Sequence, residues 1–360
     1  MKLTIEQNHL AALLSRVTKA VESRNNIPIL SNVLLIAEGD TLKAIATDLD
    51  VEVASTAEAQ VEQSGSTTVQ ASTLQSIVNK LSKGKLVALE YDAGTLKVSS
   101  GRSNLTLSSL PVEDFPRVAN DEYAATFNAE QAELKRMFEL TEPSMSTEET
   151  RYYLNGVYLH SHEGNARAVS TDGHRLGLVD SAIAAEFPPV IVPRKTVGLV
   201  KGLLDEGDST VSASDTKVRF DFGHSVVVSK VIDGTYPDYS RIIPTGWETE
   251  VTVNANDVKQ AAALVSEVSG DRIRAVRVSV GADMVTLTVR SGIDVGVEEV
   301  DAVVSGEAVE VGVNSKYLAE ILKACNGDNA VMRFRGSGDA IVVKPEEDDK
   351  ALFLVMPMRV

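Results

Sequence analysis

A strand, a polar break and an amphipathic helix follow one another three times at a nearly constant interval, and this repetition constrains the fold more than any single motif. Leu10, Leu13, Leu14, Val17 and Val21 mark the first helix at i, i+3, i+4, i+7 spacing, after the strand-like KLTI and a polar stretch around Asn8. The order returns as Ala125-Thr126-Phe127, Asn128, then Leu134, Met137 and Phe138. It returns again as Val251-Thr252-Val253, Asn254, then Val258, Ala261, Ala262 and Val265. Leu10, Leu134 and Val258 are separated by 124 and 124 residues. A second helix recurs in each third, on Leu74, Ile77, Val78 and Leu81, then Val197, Val200 and Leu204, then Leu318, Ile321, Leu322 and Cys325. The spacing predicts six helices over 8–20, 72–83, 128–140, 193–204, 256–268 and 314–325. β-Branched runs between Gly, Asp and Asn turns, such as VLLIA, LKAIAT, GVYLH and VTLTV, fill the remainder as strands. The expected fold is α+β: three repeated domains, each with two helices backed by antiparallel sheet. Acidic-polar stretches around 117–124 and 244–250 set the expected boundaries at 1–119, 125–246 and 249–360.

Charge is partitioned along the same repeat. The 360 residues carry a net charge of −16, yet the six predicted helices together carry +6, leaving −22 on the remaining chain. Basic helices on an acidic body localise phosphate contacts and repel polyanions elsewhere. Lys80, Arg194, Lys195 and Lys201 are among the carriers. One cysteine, Cys325, forbids an internal disulfide and a cysteine-based metal cluster. No apolar run reaches the roughly 18 residues of a membrane span, and the start MKLTIEQNHL lacks a secretion signal. The expectation is a cytoplasmic protein with no membrane partner.

Catalytic constellations are scarce. His160, His162, Asp172 and His174 could be assembled as a metal site, since i and i+2 share a strand face. This gives the alternative reading, a three-domain metal-dependent hydrolase. Against it stand the absence of a His-Glu-x-x-His motif, a phosphate-binding glycine loop and a nucleophile elbow. His174 also has no counterpart in Thr47-Asp48-Leu49-Asp50, where Asp50 stands 124 residues earlier. No catalytic residue, metal or cofactor is assigned.

Three segments remain: Ala168–Leu176, Ser229–Tyr239 and an apolar end, Phe353-Leu354-Val355-Met356-Pro357-Met358-Arg359-Val360. With Arg151-Tyr152-Tyr153-Leu154-Asn155-Gly156, Ile191-Val192-Pro193-Arg194-Lys195, Ile27-Pro28-Ile29-Leu30 and the opening MKLTIE, the whole chain closely resembles the bacterial DNA polymerase III β subunit family, the sliding clamps. The resemblance implies a head-to-tail homodimer, a six-domain ring with twelve helices lining the bore. Twelve helices about 9–10 Å apart enclose a bore of roughly 25 Å once one helix diameter is removed. That admits duplex DNA, touched at its phosphates without sequence specificity. The resemblance implies no catalysis by the chain itself. Its implied partners are the DNA polymerase III α subunit, the clamp loader, other polymerases, and mismatch-repair and ligation factors. It places their hydrophobic peptide pocket on Leu154, Thr171, Gly173, His174, Arg175, Leu176, Pro237, Arg241, Ile242, Leu354, Val355, Met356, Pro357, Met358 and Arg359, with Asn314 and Tyr317 as neighbours. It adds Arg24, Tyr152 and Tyr153 to the DNA contacts. The implied subunit interface sets Leu105 and Leu107 of the first domain against Val268 of the third, with Arg102 opposite Glu298 or Glu299.

Overall fold

A computed structural model describes residues 1–22, 26–118, 122–269, 275–325 and 329–359. Its α-helices are α1 (Gln7–Val17), α2 (Ala71–Lys80), α3 (Gln131–Thr141), α4 (Arg194–Lys201), α5 (Ala255–Ser266) and α6 (Ser315–Ala324). All six lie where the periodicity predicts, with shifted ends. α3 begins three residues later than expected because 125–130 continues as a strand, paired in register with 208–213 from Ala125–Ala213 to Glu130–Asp208. Those ladder bonds outweigh the helical preference of Ala129 and Glu130. α1 stops at Val17 and tightens into a 3₁₀ turn at Thr18–Ala20, and α2 stops at Lys80. α5 and α6 are capped alike: the Oδ1 of Asn254 accepts from the amides of Asn256 (3.0 Å) and Asp257 (3.1 Å), and that of Asn314 from Lys316 (3.0 Å) and Tyr317 (3.4 Å).

The chain forms two compact units, Met1–Ala132 with Lys195–Val231, and Glu133–Arg194 with Ile232–Val360. The first contains a 13-stranded antiparallel sheet and the second a 12-stranded one. The second repeat is divided between them. Its strands 125–130, 208–213, 217–221 and 225–230 lie in the first sheet, and 156–162, 165–171, 175–184 and 190–193 in the second. The cause is strand pairing between repeats. Ser225–Ser229, in the last strand of the second repeat, pairs antiparallel with Val51–Ser55 of the first. Ala351–Val355, in the last strand of the third, pairs in the same way with Arg175–Val179 of the second. Each repeat therefore completes the sheet of the one before it.

Helices cover these sheets with narrow apolar stripes. Leu10, Leu13, Leu14 and Val17 of α1 and Leu74 and Val78 of α2 are fully buried in the first unit. In the second, Val258 and Val265 of α5 and Leu318 and Ile321 of α6 play the same part. Phe220 is among the largest fully buried side chains of the first unit, and Phe353 and Phe334 of the second. Phe353→Ala is expected to cost about 3–5 kcal/mol, read as a lowered urea midpoint for the second unit with the first unit's transition unchanged.

Candidate functional site

The second unit contains an apolar cluster where strands 175–184 and 351–355 meet. Leu154, Val169, Leu176, Leu178, Ile191, Val342 and Leu354 form its buried base, and Met356 and Leu352 lie over them, half-buried. Leu176 stands directly opposite Leu354 in the ladder, so one cross-strand pair forms the centre of the floor. Tyr236 extends the base by stacking on Tyr158, rings parallel to 2° with centroids 4.7 Å apart.

The rim at Asp172–Arg175 is a built turn. The Oδ1 of Asp172 accepts from the amides of His174 (2.9 Å) and Arg175 (3.0 Å), and the Thr171 hydroxyl accepts from the Gly173 amide at 3.1 Å. Gly173 sits at φ +87°, which favours glycine, and Arg151 Nη1 lies 2.6 Å from where a Cβ would stand, so a side chain there would also displace the guanidinium. The chain end is tied to this turn and to the strand before α6: the Met356 amide donates to His174 O at 2.9 Å, and that of Met358 to Gly312 O at 2.8 Å. His174 stacks on Tyr317 with centroids 6.2 Å apart.

Arg175 is a strut. Its Nε donates to Asp172 Oδ2 at 3.0 Å, its Nη1 pairs with Glu320 of α6, and its guanidinium lies 4.4 Å over the Tyr317 ring. With two carboxylates and an aromatic face engaged, it fixes the rim. Arg241 is presented outward, its side chain 83% exposed and held by Asp238 at 2.8 Å, and Arg359 is exposed as well. The Asp238 carboxyl lies below its usual range chiefly through its bond with Ser240, aided by Arg241. Ile242 beside it is exposed. Glu320 escaped the sequence reading and Arg151 entered it only as part of the motif at 151–156, because nothing along the chain ties either to the turn at 172–175.

The residues assigned to phosphate contact fall into three kinds. Lys80 is exposed in the last turn of α2, and Lys201 sits in the last turn of α4, where cations also meet the negative helix end. Tyr152 is 54% exposed, with Tyr153 edge-on at 5.8 Å. Arg194 instead turns its Nη2 to the carbonyls of Met145 (2.5 Å) and Ser146 (3.1 Å), and Lys195 pairs with Asp48 and, at 3.5 Å, Glu22. Arg24 lies outside the described residues. Of the interface residues, Leu105 and Leu107 are half-buried on the strand Ser103–Leu110, and Glu299 is exposed on the strand Asp294–Gly306.

The metal reading fails on geometry. His160 donates through Nδ1 to its neighbour's carbonyl, Ser161 O, at 2.9 Å, which leaves Nε2 to accept from the Tyr239 hydroxyl at 2.9 Å. Arg167 supplies Tyr239 with a further donor at 3.3 Å and holds Asp180 through two bonds of 2.6 and 2.8 Å. His174 faces Tyr317, and Asp172 is consumed by the turn. Among the described residues no group of three metal-ligating side chains converges.

Comparison with known proteins decides the family. The profile of the DNA polymerase III beta subunit N-terminal domain matches residues 1–119, that of the central domain 128–238, and that of the C-terminal domain 240–359. The chain belongs to the bacterial DNA polymerase III beta subunit family. It is 41% identical over 373 residues to the beta sliding clamp of Caulobacter vibrioides, and 34% over 365 to that of Escherichia coli K12, with all of both chains covered in each case. Its fold matches the Bartonella birtlesii sliding clamp bound to griselimycin with a TM-score of 0.96 at 36% identity over the full length of both. A Caulobacter crescentus clamp with polyethylene glycol bound to a putative beta-motif tethering region matches at 0.94 and 40%, covering 100% of this chain and 99% of that one. The three-domain clamp fold and a non-catalytic sliding-clamp function follow, and the hydrolase reading is set aside. No described helix is long and apolar enough to cross a membrane.

Arg175→Ala is expected to unfasten the rim, read as faster amide exchange over 172–176 with the protection of strand 165–171 retained. Burial holds the His160 imidazole below its ordinary value; the Ser161 carbonyl opposes this and Arg167 reinforces it. The unfolded chain then binds the proton more readily, so this stabilisation is complete above the ordinary imidazole range and lost as pH falls through it. His160→Asn is expected to flatten the dependence of the second unit's urea midpoint on pH between about 7.5 and 5.5.

Proposed function

We propose that two copies of this chain close head to tail into a ring around duplex DNA, and that the surface over the apolar cluster of the second unit receives short hydrophobic peptide segments of the DNA polymerase III α subunit, the clamp loader, other polymerases, and mismatch-repair and ligation factors. The observation that carries closure is a pair of incompletely used strand edges. Among the described residues, Ser103–Leu110 uses its second edge only at Ser109 and Leu110, and Asp294–Gly306 leaves 294–301 without a partner on the edge that Ala302–Gly306 uses. Both ladders between repeats join a last strand to the fourth strand of the preceding repeat. Ser103–Leu110 is the last strand of the first repeat, and Asp294–Gly306 holds the fourth place in the third. The same rule makes them partners between copies.

Carried over from the two existing ladders, the register sets Thr106 opposite Val295, Leu105 opposite Gly296, Ser103 opposite Glu298 and Arg102 beside Glu299. Gly296 supports this register. A Cβ there would meet Val268 Cγ2 at 3.0 Å, so Val268 covers the place that Leu105 approaches from across the ladder. The Arg102–Glu299 pair lies at the rim and adds selectivity more than affinity. Domains of 1–119, 125–246 and 249–360 agree with this repeat arithmetic, and the cytoplasm is the compartment in which a clamp with one reduced cysteine meets the chromosome.

In the pocket, methionine and leucine walls adapt to different apolar side chains, while Arg241 orients the peptide. Phosphate contact rests with Lys80, Lys201 and Tyr152, with Arg24 and Tyr153 beside them; Arg194 and Lys195 act mainly by fixing the start of α4. Loose, salt-sensitive contacts suit a protein retained by topology rather than by grip.

The test is retention on nicked plasmid after loading by a purified clamp loader with ATP, followed by gel filtration. Retention on the circle with rapid loss after linearisation supports the ring, and equal retention on both forms overturns it. Leu107→Asp is expected to yield monomers that fold normally and are not retained, by light scattering and the same assay.

A further inference from the structure

We propose that the first unit holds a second partner site, a cationic cleft that takes a short acidic peptide. The proposal stands on the repeat and the cleft, and is independent of the ring. Ile45, Glu52 and Ala54 lie 124 residues before Val169, Leu176 and Leu178 of the apolar pocket, and Val226 and Val228 lie 126 residues before Leu352 and Leu354. Cross-strand rows correspond as well. Glu52 faces Val228, which faces Arg219; Leu176 faces Leu354, which faces Val342. Phe115 lies under Ile45 and Ala54 as Tyr236 lies under Val169 and Leu178. The first unit therefore repeats the scaffold of the pocket.

Its chemistry is different. A cleft of about 290 Å³ opens over Ala54, Val226 and Val228, flanked by Lys43, Arg117, Arg219 and His224. Alanine and valines in place of leucines leave a shallow apolar floor, too short-walled for large hydrophobic side chains. Glu52, only 5% exposed, is neutralised in place: it accepts from Arg117 Nε and Nη2 at 2.9 Å each and from the Val118 amide at 3.1 Å. Lys43 has no hydrogen bond or carboxylate partner among the described residues, and Arg219 is held by a single bond to Asp221 at 2.5 Å.

Arg117 is taken up in neutralising Glu52 and Arg219 is shared with Asp221, so Lys43 leaves the cleft with a net surplus of one positive charge on a chain of net charge −16. Charge complementarity thus selects carboxylates at the rim, and the apolar floor selects a small aliphatic side chain between them. A long polyanion would meet the acidic remainder of the surface, which leaves a short acidic peptide as the occupant.

Full-length protein is titrated against a fluorescein-labelled Glu-Leu-Asp-Glu-Val peptide at low salt and read by anisotropy. Saturable binding is expected, weakened roughly tenfold by the double variant Lys43→Glu, Arg219→Glu and unchanged by Tyr317→Ala, which alters the pocket of the second unit. Should the double variant fail to fold by circular dichroism, Lys43→Gln alone is expected to weaken binding in the same direction. No binding by the unaltered protein, equal binding by the Lys43 variants, or loss in Tyr317→Ala overturns the proposal. Equal affinity for Glu-Gly-Asp-Glu-Gly, or displacement by inorganic phosphate with no dependence on the aliphatic residue, would reveal a simple anion site and overturn it too.

Discussion

A β-sheet edge with unpaired amides and carbonyls is a demand for another strand, and this chain answers it twice with its own next repeat. Ser225–Ser229 completes the sheet of the first repeat, and Ala351–Val355 completes that of the second. Hydrogen-bonded ladders leave little freedom at such a joint, since a slip of one residue would turn every side chain to the wrong face. The division into two units follows directly, because strands of the second repeat are drawn into both sheets. The edges at 103–108 and 294–301 carry the same demand, unanswered among the described residues of one chain.

The apolar cluster proposed to receive peptides arises from this joint. Pairing Arg175–Val179 with Ala351–Val355 sets Leu176 against Leu354 and delivers Met356 to the rim, so the apolar floor is made by the ladder itself. Electrostatics then stiffens the edge. Asp172 is occupied by two backbone amides and Arg175, while Arg175 is shared with Glu320 and the Tyr317 ring. A rim held this way costs an incoming peptide little ordering entropy. At the earlier joint the same rows carry Glu52, Ala54, Val226 and Val228, and a bidentate ion pair covers what would otherwise be a second greasy cleft. One scaffold thereby supports two surfaces of unlike chemistry.

Much of this was legible along the chain because it depends on local periodicity. The three helix pairs show in the recurrence of Leu10, Leu134 and Val258, and in the stripes of Leu74, Val197 and Leu318. The apolar run from Phe353 fits core packing or a binding groove equally well in sequence, and the ladder with Arg175–Val179 packs it into the sheet. Helix ends were less legible: Ala129 and Glu130 favour a helix intrinsically and are claimed by a ladder with 208–213. The roles of single charged residues were least legible. Arg175 and Arg194 look alike in sequence to any solvated cation, yet one is locked between two carboxylates and the other turned onto two carbonyls.

By itself the sequence determined the number of repeats, the alternation of strand and helix, and the concentration of positive charge on helices. These follow from spacings of two and 3.6 residues and from side-chain type. Only the tertiary structure decided which strands pair across repeats, that the second repeat is divided between two sheets, and that Glu320 meets Arg175 across 145 residues. The reason is physical: a strand carries its own pattern of faces, whereas its partner is chosen by which unpaired edge the folded chain brings within hydrogen-bonding distance.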